Sequence, residues 1–343
     1  MAAASNICEL VKAKLSYTGR PVMGLLESLV SPLNIQATNF TPQGALPSGK
    51  KKTMLVRYNK PASIADVTVG PIGTPSFCEG NPFTYLEEQY DIDTKVQYSV
   101  EIDDYTMSAF CEDRDTVVAD MIKSAIDAFL GKLDSELISM FDNLRGNTSA
   151  GNINVIPGLA FSDLTNNIAS VNIMTEISAE YRRLKASALQ RIIVGGELLA
   201  RYQEATGIGC CNTNGQDTSR FIGANATYYD HYMDADTLGI APANNDWFVF
   251  PAGLVQLLDW SIVAPVNNGV IGNSEFNTVL EVQVGEDSRF PIDLKIVRSS
   301  CDSKWIVTLT KFFGLMTFPT DYFPVSDSLA GVNFLTRFRP TTA

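Results

Sequence analysis

An α+β fold, with one long helix laid along a sheet, is what this 343-residue sequence predicts. Three stretches carry the expectation: a one-sided helical run at 113–145, a hydrophobic strand pair near 292–313, and a Pro/Gly-rich segment at 38–82 too broken to join a compact core. In the helical run, Val117, Val118, Met121, Ile122, Ala125, Ile126, Phe129, Leu133, Leu137, Phe141 and Leu144 recur at a helical stride. Glu112, Asp113 and Asp115 put negative charge at the positive end of the helix dipole, and Asp113 or Asp115 can cap it. Gly146 supplies a stop. At about 1.5 Å per residue the rod is roughly 45–50 Å long, well beyond the usual globular helix. Gly131, near its middle, costs about 1 kcal/mol relative to alanine, so a bend is expected there. The apolar stripe drifts around the rod instead of repeating in sevens, which excludes a strict coiled-coil seam. Such a helix must lie along something broad, and a sheet is the natural partner.

The remaining elements follow in chain order. Residues 1–40 hold two short helical patterns, around 7–15 and 22–29. Segment 38–82 carries Pro42, Pro47, Pro61, Pro71, Pro75 and Pro82 among glycines, with strand-like runs at 53–58 and 66–69. That texture predicts a two-stranded excursion reaching away from the body. Lys50, Lys51 and Lys52 fall at or near its tip and read as a solvated turn in preference to a nucleic-acid contact. Residues 94–102 alternate as a strand does. After a polar loop to Gly158, a second amphipathic helix is expected at 175–188, with Ile177, Tyr181 and Leu184 on one side. Residues 191–194 (RIIV) form a buried-type strand that turns through Gly195 and Gly196 into a helical ELLARYQEA. The Gly/Asn/Asp/Thr-rich region 205–245 reads as long surface loops, and 246–251 and 279–284 as strands. Residues 292–298 and 304–313 predict a hairpin across SSCDS, and the tail after Pro319 reads as aromatic and irregular. No repeat period is present.

Composition narrows the function classes. With 45% hydrophobic residues the chain can bury a sizeable core, and no apolar run reaches membrane-spanning length. The first residues, MAAASNICELVKAKLSYTG, lack the apolar block of a secretory signal. Six cysteines (8, 78, 111, 210, 211 and 301) are scattered without a CxxC pair, so reduced cytosolic thiols are expected. A net charge of −12 favours solubility and opposes a phosphate-tracking surface over the whole protein.

No constellation for chemistry assembles. His231 is the only histidine, and among Tyr228, Tyr229, Asp230 and Tyr232 it reads as a loop residue, not a base. Cys210 and Cys211 with His231 cannot make a tetrahedral zinc site, because adjacent cysteines do not readily face one ion and a fourth ligand is missing. The run from Asp234 and Asp236 to Gly239 opens like a calcium loop but offers Leu238 and Asn245 where oxygen ligands belong. Gly195 and Gly196 complete no phosphate-loop motif. The acid pairs Glu87/Glu88, Asp91/Asp93 and Asp103/Asp104 precede strands and helices and read as caps and solvated edges. Trp247, Trp260 and Trp305 read as core. The expectation is therefore no catalytic, cofactor-binding or metal residue, no cofactor, and no enzyme activity.

The order of these elements resembles the major capsid protein of tailed bacteriophages, with its Hong Kong 97-type fold. TVVADMIKSAIDAFLGKLDSELI resembles the family's spine helix, RIIVGGELLARY the strand–turn–helix entering its axial domain, and WFVFPAGLVQLL an axial-domain strand followed by an apolar turn. IDLKIVRSSCDSKWIVTLTKFFGLMTFP resembles the closing peripheral-domain strands. The resemblance implies an N-terminal arm at 1–37 and an extended β loop at 38–82 lying over a neighbouring subunit. It implies a peripheral domain at 83–150 and 290–343 with the spine helix at 113–145, and a mixed α/β axial domain at 151–289. Implied partners are further copies in pentamers and hexamers of an icosahedral shell, scaffolding, portal and decoration proteins, and packaged DNA held only weakly, with no membrane. The implied location is the virion, and the host cytoplasm during assembly. The other readings are an encapsulin-like compartment, another virion structural protein, and a carboxylate-based hydrolase.

Overall fold

The computed structural model describes residues 22–36, 53–59, 85–103, 114–144, 154–156, 177, 181–182, 190–196, 199, 225–233, 247–261, 269–271, 275–285, 288–298, 304–317 and 335–340. The long helix, α3, spans Arg114–Leu144. Ile122, Ile126, Phe129, Leu133, Leu137 and Phe141 all turn inward at three- and four-residue steps. Met121, expected in that stripe, is 43% exposed, because the stripe has drifted past it by the next turn. What requires glycine at 131 is close approach: a β-carbon there would collide with the Tyr232 hydroxyl.

Two sheets share α3. The larger runs β3 (Thr94–Asp103), β12 (Lys304–Thr317), β11 (Arg289–Arg298), β10 (Glu275–Gln283) and β9 (Gly269–Ile271) in that order, with every pairing antiparallel. β12 is long enough to serve two partners on one edge. Trp305 to Thr310 pair with β11, and Phe312 to Thr317 pair with β8 (Val255–Trp260), while β3 lines the opposite edge. The hydrophobic hairpin expected at 292–313 is thus the β11–β12 pair. β3 buries Val96 and Ile102 and exposes most of the residues between them, as a strand at a sheet edge does. It runs back along α3, where Thr94 Oγ1 lies 4.0 Å from Met140 Sδ.

The smaller sheet has the order β4 (Asn154–Ile156), β13 (Thr336–Pro340), β7 (Trp247–Pro251), β5 (Arg191–Gly195) and β6 (Asn225–Tyr229). β5 and β7 are apolar almost throughout, which fits their central place with both faces covered. Phe141 of α3 meets Phe248 and Phe250 of β7 edge-on, with ring centroids 5.7 and 5.5 Å apart. Beside them Asp142 pairs with the buried Arg337 of β13. One continuous apolar core joins α3 to both sheets. Ile177 and Tyr181, expected on the inner side of a helix at 175–188, are fully buried, and the Tyr181 hydroxyl donates to the Val249 carbonyl at 2.7 Å. Apart from Arg182, which is exposed, the rest of that segment lies outside the described residues, as do residues 7–15, the three lysines at 50–52, and 66–69.

Several expectations change. The apolar turn read in GLVQLL is the strand β8, which carries the chain from the small sheet into the large one. β6 and a 3-10 turn at His231–Met233 lie inside the region read as loops, and β13 lies inside the tail read as irregular. Sheet membership also crosses the boundary expected at residue 290. β8 and β10 belong with β11 and β12, whereas β13 returns to β7.

At the start of the chain, the helical pattern expected at 22–29 is α1 (Gly24–Val30), followed by α2 (Pro32–Gln36). Where the resemblance implied an arm at 1–37, Met23, Leu25, Leu26 and Leu29 are in the core. Full burial of each such side chain is worth about 1.5–3 kcal/mol, enough to hold a short helix whose own propensity could not.

Candidate functional site: the β ribbon and the joints behind it

β1 (Thr53–Asn59) pairs antiparallel with β2 (Tyr85–Asp91) from Thr53 opposite Asp91 to Asn59 opposite Tyr85. The excursion expected at 38–82 therefore returns through residues beyond 82. Glu87 and Glu88, read as caps or solvated edges, are strand residues, and Glu88 is exposed. Among the described residues β1 pairs with β2 and with no other strand. A two-stranded ribbon alone is marginally stable in water, so its outward part needs either an apolar root or a covering partner.

The root is present. Only Ile92 and Asp93 separate β2 from β3. Ile92 packs with Leu258 and Met316, flanked by Tyr90, Trp260 and Phe312, in a second apolar cluster separate from the main core. Trp260 meets Phe312 edge-on at 5.4 Å, and the Lys95 ammonium lies 5.7 Å from the centre of the Phe312 ring. The Tyr90 hydroxyl is 2.7 Å from the Thr317 carbonyl oxygen and 2.6 Å from Glu88 Oε2, and its single proton serves one acceptor at a time. Gly314 of β12 lets the chain pass: a β-carbon there would sit 2.6 Å from the Asp91 carbonyl oxygen. The ribbon is thereby fixed to β8 and β12.

A second joint holds α1 and α2 between the two sheets. Asp230, just after β6, accepts the Leu25 N–H on Oδ2 at 2.7 Å and the Tyr232 N–H on Oδ1 at 2.8 Å. Asp134 of α3 accepts the Leu26 N–H on Oδ1 at 3.0 Å. Burial, then the neighbouring Asp230 carboxylate, pushes the Asp134 carboxyl well above the usual range. Burial raises Asp230 as well, against the amides that favour its charged form. At the other end, buried Asn34 donates to the Val255 carbonyl at 2.9 Å and accepts the Gly253 N–H at 2.8 Å. It thus clasps the turn where the chain leaves β7 for β8, a turn in which Gly253 adopts a φ of 82°.

His231 is exposed in its 3-10 turn and stacks edge-on with Tyr232 at 5.5 Å. Among the described residues no group of three or more His, Cys, Asp or Glu side chains could hold a metal ion. Cys210, Cys211, Asp234, Asp236 and Asp104 lie outside the described residues. Gly195 serves packing, since a β-carbon would lie 2.8 Å from Trp247 Cδ1. Trp247 is fully buried as expected, whereas Trp260 and Trp305 are half-buried, the latter under the Arg298 guanidinium at 5.5 Å. Lys311, buried in β12, pairs with Asp259 at 2.6 Å and lies 4.8 Å from the centre of the Phe290 ring. The Asp134–Asp230 pair and the Asn34 clasp escaped sequence reasoning, because their members are 96 and 219 residues or more from their partners. A lone Asp on an apolar helix face was the one available signal, at Asp134.

No family model matches the sequence, and no curated protein sequence matches it. Solved structures do. The chain superposes on a chain of the cyanophage A-1(L) capsid asymmetric unit with a TM-score of 0.55 and 10% identity, covering 96% of this chain and 95% of that one. A Mycobacterium phage Che8 structure gives 0.48 at 10% identity, with 94% and 92% covered, and a virus-like particle from Pyrococcus furiosus gives 0.46 at 11%, with 98% of each covered. What this chain shares with the cyanophage capsid chain is its fold, a mixed α+β body spanning nearly the full length of both.

Proposed function

We propose that this chain is a shell subunit, the major capsid protein of a tailed bacteriophage, which assembles into an icosahedral shell of pentamers and hexamers around double-stranded DNA. The carrying observation is the β1–β2 ribbon, which pairs with no other strand among the described residues yet is rooted in its own apolar cluster. A ribbon rooted at its base and paired with no other described strand gains burial by lying on a neighbouring copy, and repeated contacts of that kind close into rings. The likeness of fold to a cyanophage capsid chain supports the same reading. In it, the ribbon is the extended loop, α3 the spine helix, the large sheet the core of the peripheral domain and the small sheet that of the axial domain. Residues 1–21 are what remains of the proposed arm.

On this reading the chain acts by association and has no enzyme activity. It resides in the virion after assembly in the host cytoplasm, alongside scaffolding, portal and decoration proteins. The charge of −12 implies that packaged DNA slides against the shell instead of being gripped.

Sizing chromatography and electron microscopy of the purified chain test the proposal. Closed shells, or pentamers and hexamers, are expected, and monomers or tubes overturn it. Shells filled with protein cargo would indicate an encapsulin-like compartment in place of a capsid.

A further inference from the structure

We propose that Asp134 and Asp230 form a proton-dependent latch on α1: one proton shared between the two carboxyls keeps the helix pinned between the sheets, and its loss drives them apart and frees α1. Three fixed elements meet here. Asp134 projects from the middle of α3, Asp230 follows β6, and each accepts one of the adjacent amides of Leu25 and Leu26. Both carboxyls are buried. Two ionised carboxylates side by side in such a place repel each other strongly, so one of them must stay neutral.

The hydrogen bonds decide which. Asp230 is served by the amides of Leu25, Tyr232 and Met233, and is the anion. Asp134 has one amide, from Leu26, and faces the Asp230 carboxyl. Its Oδ2 has no partner in strict hydrogen-bond geometry, which leaves that atom to carry the proton toward Asp230.

Among the described residues, no lysine or arginine acts on either carboxyl. From the turn after β6, Tyr232 faces both, and burial first, then Asp134, Asp230 and Asp127, raise its pKa, so it stays neutral. His231 is exposed and turned against Tyr232. On α3, Asp127 adds negative charge, and Lys132 is exposed and paired with Glu136. On α1, the Glu27 carboxyl lies against Gly285 beyond β10. From β5 the Gly195 carbonyl accepts the Asp230 N–H at 2.9 Å.

Both shifts have the same sign. A carboxyl whose pKa is higher in the folded state stabilises that state fully below its unfolded value, and the stabilisation is lost as pH rises through the folded value. Acid therefore tightens this joint and base loosens it, the reverse of a carboxylate held by a salt bridge.

Native-state hydrogen exchange at Leu25 and Leu26 in the purified full chain, from about pH 4 to about pH 9, tests the latch. Exchange at these amides is expected to outrun the intrinsic rise by about tenfold per pH unit, from the ordinary carboxylate range up to the pKa of Asp134, and then to level. Asp134→Asn, which keeps an acceptor for Leu26 and a donor toward Asp230 without charge, should remove the Asp134 part of that excess and leave only the smaller part due to the buried Asp230. Parallel profiles in the two proteins overturn the proposal. If the variant does not fold, carboxyl carbon titration of the wild type decides: an Asp134 that titrates in the ordinary range overturns it, and one that titrates above it supports it. The latch belongs to the folded subunit, so its failure leaves shell assembly standing, and the converse also holds.

Discussion

Residues 22–36 and the segment 38–82 that carries β1 follow one another in sequence and are both punctuated by Pro and Gly, yet residues 22–36 and the β1–β2 ribbon end in opposite situations. The first puts Met23, Leu25, Leu26 and Leu29 into the main core and is bolted at both ends by Asp230, Asp134 and Asn34. The second pairs only with itself among the described residues and touches the body through its root. Punctuation tells where a chain turns. It does not tell whether the pieces between turns find a partner within the same molecule. Four apolar side chains within seven residues, from Met23 to Leu29, are a dense enough payload to offset the ordering of a short helix, and they demand a home.

The comparison implies that variants in the wedge reduce stability and variants in the ribbon reduce association. The largest expected effect is that of Leu26→Ala, a cavity in a fully buried site, which should cost about 2–5 kcal/mol in urea unfolding. A cost below about 1 kcal/mol would mean that α1 is not core. Next is Gly314→Ala. Its β-carbon meets backbone atoms of Asp91 and Ile92, which cannot swing aside as a side chain would, so about 1–3 kcal/mol should be lost and the ribbon's root displaced. Smallest in stability is Tyr90→Phe, at about 1 kcal/mol for the hydroxyl that reaches Thr317. In sizing chromatography, however, it should lower the yield of large assemblies more than Leu26→Ala does at matched folded fraction. The opposite ranking would break the division between wedge and ribbon.

How legible each part was depends on how far its pattern extends. α3 announces itself because 31 residues sample the helical period many times, and its boundaries lie within a residue of those expected. The β11–β12 pair was equally plain from two long apolar runs around a polar turn. Short strands were not. Val255–Trp260 reads as a turn after Pro251, Ala252 and Gly253, and only its pairing with the far half of β12 makes it a strand. Tyr85–Asp91 carries three acids and passes for a capped edge, and Thr336–Pro340 ends in a proline and holds two arginines. Gly131 and Met121 show a further limit. The reason for glycine is a tyrosine about a hundred positions away, and which part of the drifting stripe Met121 falls outside is decided only by where the sheets lie. Of long-range polar contacts such as Asp134 with Leu26, the local trace is only a lone Asp on an apolar helix face, which does not name the partner.

The two-residue step from β2 to β3 has a mechanical consequence. Load applied along the ribbon passes directly into β3, whose ten residues are each matched to one on β12. Because those ladder bonds lie across the strand direction, a pull along the strand strains them all together instead of opening them one by one. Traction on the ribbon is therefore shared by the whole β3–β12 seam and delivered to the face of α3, so the body resists a pull on the ribbon as one unit.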